Sequence, residues 1–535
     1  MKKKILLTVV GFAVCSFGDL SLYPMFCVNA VLQRDVPLNV WGNGSDGKTV
    51  MLSFAGQTVE TVVSNGQWRV TLDPVSAGGP YSMDVVCDDE RIVRSGMLMG
   101  DVWLCAGQSN MEAPIRYFLD RLDRSDEKVK FFHEVLEGIP ETCTNSNIRF
   151  IKVMQTVREE PINESMLGSP QWQTCSPWSV QELSATAYFF ARRLQPEIGV
   201  PVGLIVDAIS GTPAQAWVPW SVLDSKPLYA PIRQYYEEQL KTYPARKQAY
   251  EDALAQFREE HGMEPGAWVN GYLPGAPKAP YGPEHHQRPT GLYNGMIAPL
   301  AGMKFKGVIW YQGEGNAQSL DTVDIYRELF PDLIQCWRSH FQCLELPFLY
   351  VQLAAFSSPI SHDTVWPAMR AVQANVEKTV PNTAMAVAID GGLEHDIHPP
   401  FKPQVGDRLA QAALVNVYGK SGPAGGPQVT SIDFEPGRVV VHFSRTGEGL
   451  VARGIELGLF GKYKLAEGEL SGFELAGSDG VFAAADAVID SNSVVVHSDS
   501  VSIPTSVRYA WRDFPLANLY NKDGFPTAPF SVSKP

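Results

Sequence analysis

From Asp101 to Gly419 short apolar runs alternate with longer segments of helical spacing, and this rhythm is what most constrains the fold. The runs DVWLCAG, VGLIVDA, KGVIWYQG, PFLYVQLA and TAMAVAID are almost unbroken in apolar character. Between and after them stand ATAYFFARRLQ, IYRELFPDLIQCWRSHF, MRAVQANVEKTV and VGDRLAQAALVNVYG, whose apolar residues recur at helical spacing. A strand that is apolar on both sides must be covered on both sides. The pattern therefore predicts an α/β domain of three layers, a parallel sheet with helices on each face.

The flanks read differently. From about Leu20 to Met97 the runs VLQRDVPLNVWG, KTVMLSFAG, ETVVSNGQWRVTL and YSMDVVC are short and separated by turn residues, as in a small β-domain. SGPAGGP marks a linker, after which RVVVHF, GFELAG, SVVVHS and VRYAWR return to β-type text. The expected division is 19–97, 98–420 and 421–535. Two insertions interrupt the middle part: residues 112–182, and the helical KQAYEDALAQFREEHG followed by the Pro/Gly-rich YLPGAPKAPYGPEHHQRPTG. Insertions of this kind either border the binding face or decorate the surface. His285 and His286, inside the second, read as solvated.

With 535 residues and 45% hydrophobic content the chain can bury several cores. Its 44 basic residues are outnumbered by 58 acidic ones, and no basic run follows the first few residues, which argues against nucleic acid as a partner. Lys2, Lys3 and Lys4 precede an apolar stretch from Ile5 to Val14, the pattern of a signal peptide over residues 1–18. Export to the periplasm or the extracellular space follows as an expectation. Cys15 raises lipid attachment, which Val14 before it disfavours. No stretch is long and apolar enough for a stable membrane span. The eight cysteines are scattered without paired Cys-x-x-Cys or His/Cys clusters, so no metal or other cofactor is expected; Cys143 with Cys175 is a candidate bridge.

In an α/β sheet chemistry belongs to the loops beyond the carboxyl ends of strands, and four such loops carry complementary groups. Gly107-Gln108-Ser109-Asn110 follows VWLCA and offers a hydroxyl together with a backbone amide at a helix start. Taken alone, Ser109 reads more readily as a plain helix cap, and the other three loops reverse that reading. Gly211 follows VGLIVDAIS, and its amide can approach a ligand unobstructed. Asn316 follows VIWYQGEG and brings a side-chain amide. Asp396 and His398 follow AMAVAIDGGLEH. Gln108 and Gln312, beside these groups, are candidate substrate contacts. Glu314 is either another contact or part of a buried network.

These blocks, together with NAVLQRDVPLNVWG, GTPAQAW, GLYNGMIAPL, DIHP with VGDRLA, and RYAWRDFPLANLYNKDGFPTAPF, resemble the sialate O-acetylesterases, carbohydrate esterases of the SGNH hydrolase superfamily. The resemblance implies a catalytic domain of the SGNH hydrolase type. It assigns Ser109 as nucleophile, His398 as general base, and the oxyanion hole to Ser109, Gly211 and Asn316. Superfamily members commonly carry Asp three residues before the histidine, where this chain has His395. Asp396, two before, is assigned to orient His398, with a Ser–His dyad oriented by a backbone carbonyl as the alternative. The implied substrate is O-acetylated sialic acid, with Arg116 or Arg370 to pair its carboxylate. An acetylxylan or other polysaccharide esterase is the rival reading, and a non-catalytic glycan-binding protein the rival of another class.

Overall fold

The computed structural model describes residues 20–121, 138–139, 143–162, 171–267, 269, 273–454 and 466–534. The segment expected to be a signal peptide, with Cys15 in it, lies outside the described residues.

At the centre stands the expected sheet. Its strands are β1 (Glu90–Gly107), β2 (Asn145–Lys152), β3 (Gln173–Cys175), β4 (Val202–Ala208), β5 (Gly307–Tyr311), β6 (Phe348–Val351) and β7 (Thr383–Ala386). They lie in the order β7-β6-β5-β1-β4-β2-β3. All neighbours are parallel except β3, which runs antiparallel to β2 at the edge. From β1 the chain passes to β2 and β3 on one side, returns to β4 beside β1, and continues on the other side through β5, β6 and β7. The reversal opens a crevice at the carboxyl end of β1, flanked by β4 and β5.

The continuous apolar text of the strands is explained by their two covered faces. Trp103, Cys105, Leu204, Val206, Ile309 and Tyr311 point to one side, into a core shared with α2 (Ala185–Ile198) and α6 (Lys402–Asn416). Val102, Leu104, Ala106, Ile205, Val308 and Trp310 point to the other, toward α4 (Leu320–His340) and α5 (Val365–Thr379). The period-two alternation of Cβ directions produces this division directly. Helix α2 starts on Ser184, whose hydroxyl accepts from the Ala187 amide, and ends on Gly199 in the left-handed conformation.

β1 is the shared element of the molecule. Its first half pairs with Gly78–Cys87 of the amino-terminal β-region, and its second half is the central strand of the parallel sheet. The carboxyl-terminal region is built of antiparallel strands between Gln428 and Ser533. It is tied to the central layer by Tyr520, whose hydroxyl donates to Asp390, itself bound bidentately by Arg408. The second insertion forms α3 (Ala230–Glu260), a helix that begins well before the segment KQAYEDALAQFREEHG. Cys143 and Cys175 sit in thiol contact as free cysteines. Among the described residues no helix is long and apolar enough to cross a membrane.

Candidate active site

The crevice at the switch point opens into a cavity of about 1120 Å³ lined by Gln108, Ser109, Gly211, Gly315, Asn316 and His398, among others. Gly107 makes this convergence possible. Its φ is +138°, and a Cβ there would lie 2.2 Å from the Tyr311 carbonyl, so only glycine lets β1 end flush against β5. The Gln108 amide then donates to that same carbonyl at 3.0 Å.

The next helix, α1, spans only Ser109–Glu112, with Gln108 at its cap and no side-chain capping bond. Ser109 is therefore its first helical residue, with a backbone amide that has no acceptor inside the helix. The hydroxyl has another use: Ser109 Oγ lies 2.8 Å from His398 Nε2. At the far side of the ring, the Tyr117 hydroxyl lies 3.1 Å from Nδ1. Asp396 is beside the ring without bonding it. Its Oδ1 accepts the His398 backbone amide at 2.8 Å and stands 3.9 Å from Nδ1.

Asn316 is held in one orientation. Its Oδ1 accepts from the Ala214 amide and from Gln312 Nε2, both at 2.8 Å, which leaves Nδ2 as the donor facing the cavity side, one hydrogen on Gln215 Oε1 at 2.9 Å and one remaining. Gly211 has φ +72°, in the left-handed region, and its carbonyl accepts from Gln287 Nε2 at 2.7 Å. Glu112, one turn beyond Ser109, accepts from the Ser210 hydroxyl at 2.6 Å and so ties the nucleophile helix to the Gly211 loop.

Behind Ser109 a buried polar network joins three of the four loops. Lys402 Nζ donates to Asn110 Oδ1 and to the Pro399 carbonyl, each at 2.7 Å. Asn110 Nδ2 donates to Glu314 Oε1 at 2.6 Å and to the Ile397 carbonyl at 3.1 Å. Burial pushes Lys402 down to about 7, against the pull of Glu314 and Asp396, and pushes the Glu314 carboxyl up. Glu314 is thus a network member as well as part of the cavity wall.

Several expectations are corrected. Arg370 is fully buried away from the cavity; its guanidinium donates to the carbonyls of Leu353, Ala354, Arg512 and Asp513 and so clamps α5 to the carboxyl-terminal region. Arg116 pairs with Glu182 at the surface. Gln312 is fully buried behind Asn316 and orients it, while Gln108 does line the cavity, with its Oε1 accepting the Gly315 amide at 3.0 Å. His285 and His286 are half-buried, stacked at 4.5 Å, rather than solvated, and burial lowers His285 to about 4. His395 is exposed. Among the described residues no three His, Cys, Asp or Glu are grouped as metal ligands would be.

Tyr117, Asn110 and Lys402 were not singled out from the sequence. Asn110 adjoins the serine and carried a signal by position alone. Tyr117 meets His398 across 281 residues of chain, which no local pattern records.

The chain is similar to known proteins in sequence and fold. The family described as carbohydrate esterase, sialic acid-specific acetylesterase, matches residues 281–415. A carbohydrate acetylesterase of Xanthomonas citri is 32% identical, with a TM-score of 0.76, covering 96% of this chain and 99% of its own. The sialate O-acetylesterase of Homo sapiens is 28% identical over 414 residues, 71% of this chain and 68% of its own; that of Rattus norvegicus is 28% identical over 457 residues, 77% and 74%. Fold, site and likeness together define a carbohydrate esterase. Within that class the chain belongs to the sialate O-acetylesterase family.

Proposed function

We propose that the protein removes O-acetyl groups from sugars by serine catalysis. The observation that carries this reading is the 2.8 Å contact between Ser109 Oγ and His398 Nε2 on the wall of the cavity. A hydroxyl attacks a carbonyl usefully only when a base removes its proton as the bond forms. Neutral His398, with Nδ1 turned to Tyr117 and toward the Asp396 carboxylate, presents the lone pair of Nε2 to Oγ. Oγ attacks the acetyl carbonyl and Nε2 takes the proton. The negative charge on the carbonyl oxygen is met by the amides of Ser109 and Gly211 and by Asn316 Nδ2. Collapse of the tetrahedral adduct expels the sugar oxygen, which leaves with the proton from His398. Water, deprotonated by the same imidazole, then attacks the acetyl-enzyme and releases acetate.

Asp396 acts on His398 through charge and through the backbone bond that shapes its loop. For the sugar there are two readings: the names of the curated relatives support O-acetylated sialic acid, and the carbohydrate acetylesterase of Xanthomonas citri is equally compatible with an acetylated polysaccharide. Lys2 to Lys4 and the apolar stretch behind them support export to the periplasm or beyond. The test is acetate release from O-acetylated sialic acid and from acetylated xylan by the wild type and by Ser109→Ala. Loss of release in the variant is expected; release that does not depend on Ser109 overturns the mechanism.

A further inference from the structure

The cavity is larger than one acetylated sugar needs, and one wall of it comes from the second insertion. Its volume of about 1120 Å³ lies above the roughly 300–1,000 Å³ of ordinary small-ligand pockets. Ile232 and Tyr235 reach it from the first turns of α3, and Ala279, Tyr281, His285 and Gln287 from the loop that follows the helix. The Tyr235 and Tyr281 rings stand 5.6 Å apart, and Tyr281 meets His285 at 5.2 Å. Tyr235 is 58% exposed. A large ring left open beside a reaction centre, next to a second ring that fixes its position, is a surface for the apolar face of a sugar. The wall is also in register with the chemistry: Gln287, in the same loop, donates to the carbonyl of Gly211.

The charge of the lining narrows the ligand. Among the described residues the cavity is lined by two carboxyl side chains, Glu112 and Glu314, and by no lysine or arginine. The two arginines considered for a sugar carboxylate are engaged elsewhere, Arg116 with Glu182 and Arg370 with backbone carbonyls. Among the described residues an anionic sugar would meet carboxyl groups and no cation, whereas an uncharged one meets no such repulsion.

We propose that Tyr235 and Tyr281 form a stacking subsite for a neutral sugar chain, so that the substrate is an acetylated neutral oligosaccharide or polysaccharide whose neighbouring residue lies on this wall while its acetyl group reaches Ser109. The proposal rests on the serine esterase reading above and adds the substrate class to it. The wall belongs to an insertion, so it can be tested apart from the catalytic groups.

The experiment compares wild type, Tyr235→Ala and Ser109→Ala on 4-nitrophenyl acetate, on acetylated xylo- and manno-oligosaccharides of increasing length, and on O-acetylated sialic acid. The wild type is expected to favour neutral oligosaccharides over acetylated sialic acid and over acetylated monosaccharides. Tyr235→Ala is expected to lower kcat/KM on the oligosaccharides about tenfold more than on 4-nitrophenyl acetate, mainly through KM. Equal losses on both, no loss on the oligosaccharides, no acetate from any neutral oligosaccharide, or a preference for sialic acid each overturn the subsite. If 4-nitrophenyl acetate hydrolysis survives Ser109→Ala, it is the serine reading that fails, which separates the two outcomes.

Discussion

The Tyr117 hydroxyl, at 3.1 Å, is closer to Nδ1 of His398 than the carboxylate of Asp396, at 3.9 Å. The ring of Tyr117 also stands edge-on to the imidazole, with centroids 5.9 Å apart. A hydroxyl can accept the Nδ1 proton and so select the tautomer that leaves Nε2 free for Ser109. It cannot stabilise the imidazolium as a bonded carboxylate does.

The prediction concerns how this work is divided. Asp396→Asn keeps an oxygen to accept the His398 amide and removes only the charge, so kcat is expected to fall about tenfold, against about 10⁴ for a triad with a directly bonded carboxylate. Asp396→Ala, which also frees the loop, is expected to fall further. Tyr117→Phe is expected to lower kcat with little change in KM. Steady-state kinetics on 4-nitrophenyl acetate checks all three, and a 10⁴-fold loss in Asp396→Asn would mean that the carboxylate bonds Nδ1 during turnover.

Lys402 sets a second expectation. It is buried against Asn110 and the Pro399 carbonyl, and its charge partner is Glu314. Removing one member of such a set leaves the others without partners in a dry place, at a cost of about 3–5 kcal/mol. Lys402→Met is therefore expected to lower the Tm by several degrees. It should also lower kcat, because Asn110 adjoins Ser109 and the Ile397 carbonyl adjoins His398. Double replacement with Glu314→Gln should recover part of the stability, read by thermal unfolding. Additive losses would show that the two do not interact.

How far these groups could be read from sequence depends on how local their signals are. The five strand runs were legible because a sheet covered on both faces needs unbroken apolar text, and the site loops because each stands directly after such a run or a few residues beyond it. Helix α3 was read only in its second half. Its first half contains Pro244 and buries just Tyr236, so no apolar stripe marks it. Buried Lys402 follows HPPF and looks like ordinary surface charge, since lysine is seldom buried without partners that lie far off in sequence. Arg370 did carry a signal: Trp366, Met369, Arg370 and Gln373 fall at helical spacing, and all four are buried on one face of α5.

That placement makes Arg370 a test of structure against contact with substrate. Arg370→Met leaves the carbonyls of Leu353, Arg512 and Asp513 without the guanidinium donor and Ala354 with Trp366 Nε1 alone. Stability is expected to drop by about 2–4 kcal/mol, with earlier proteolysis of the carboxyl-terminal region and a KM unchanged within about twofold on every acetylated sugar. Urea unfolding and limited proteolysis measure the first two, and a KM raised in a variant of intact stability would place the guanidinium at the substrate after all.

Asp207 gives the prediction with a pH signature. It stands on β4 opposite Ala106, fully buried, and among the described residues neither carboxyl oxygen has a hydrogen-bond partner. Burial raises its pKa from the usual 3.8 to about 8. Between about pH 4 and pH 8 the unfolded chain releases this proton and the folded chain keeps it. The folded state then binds more protons, so stability is whole below about pH 4 and declines as pH rises toward 8. Asn at this position has no proton to lose. Asp207→Asn is expected to gain stability relative to the wild type as pH rises from 5 to 8, by several degrees of Tm at the upper end. The difference between the two Tm curves isolates the group, because every other titration is common to both. A constant offset, the two curves running parallel across the window, would show that Asp207 does not hold its proton in the folded protein and would overturn the prediction.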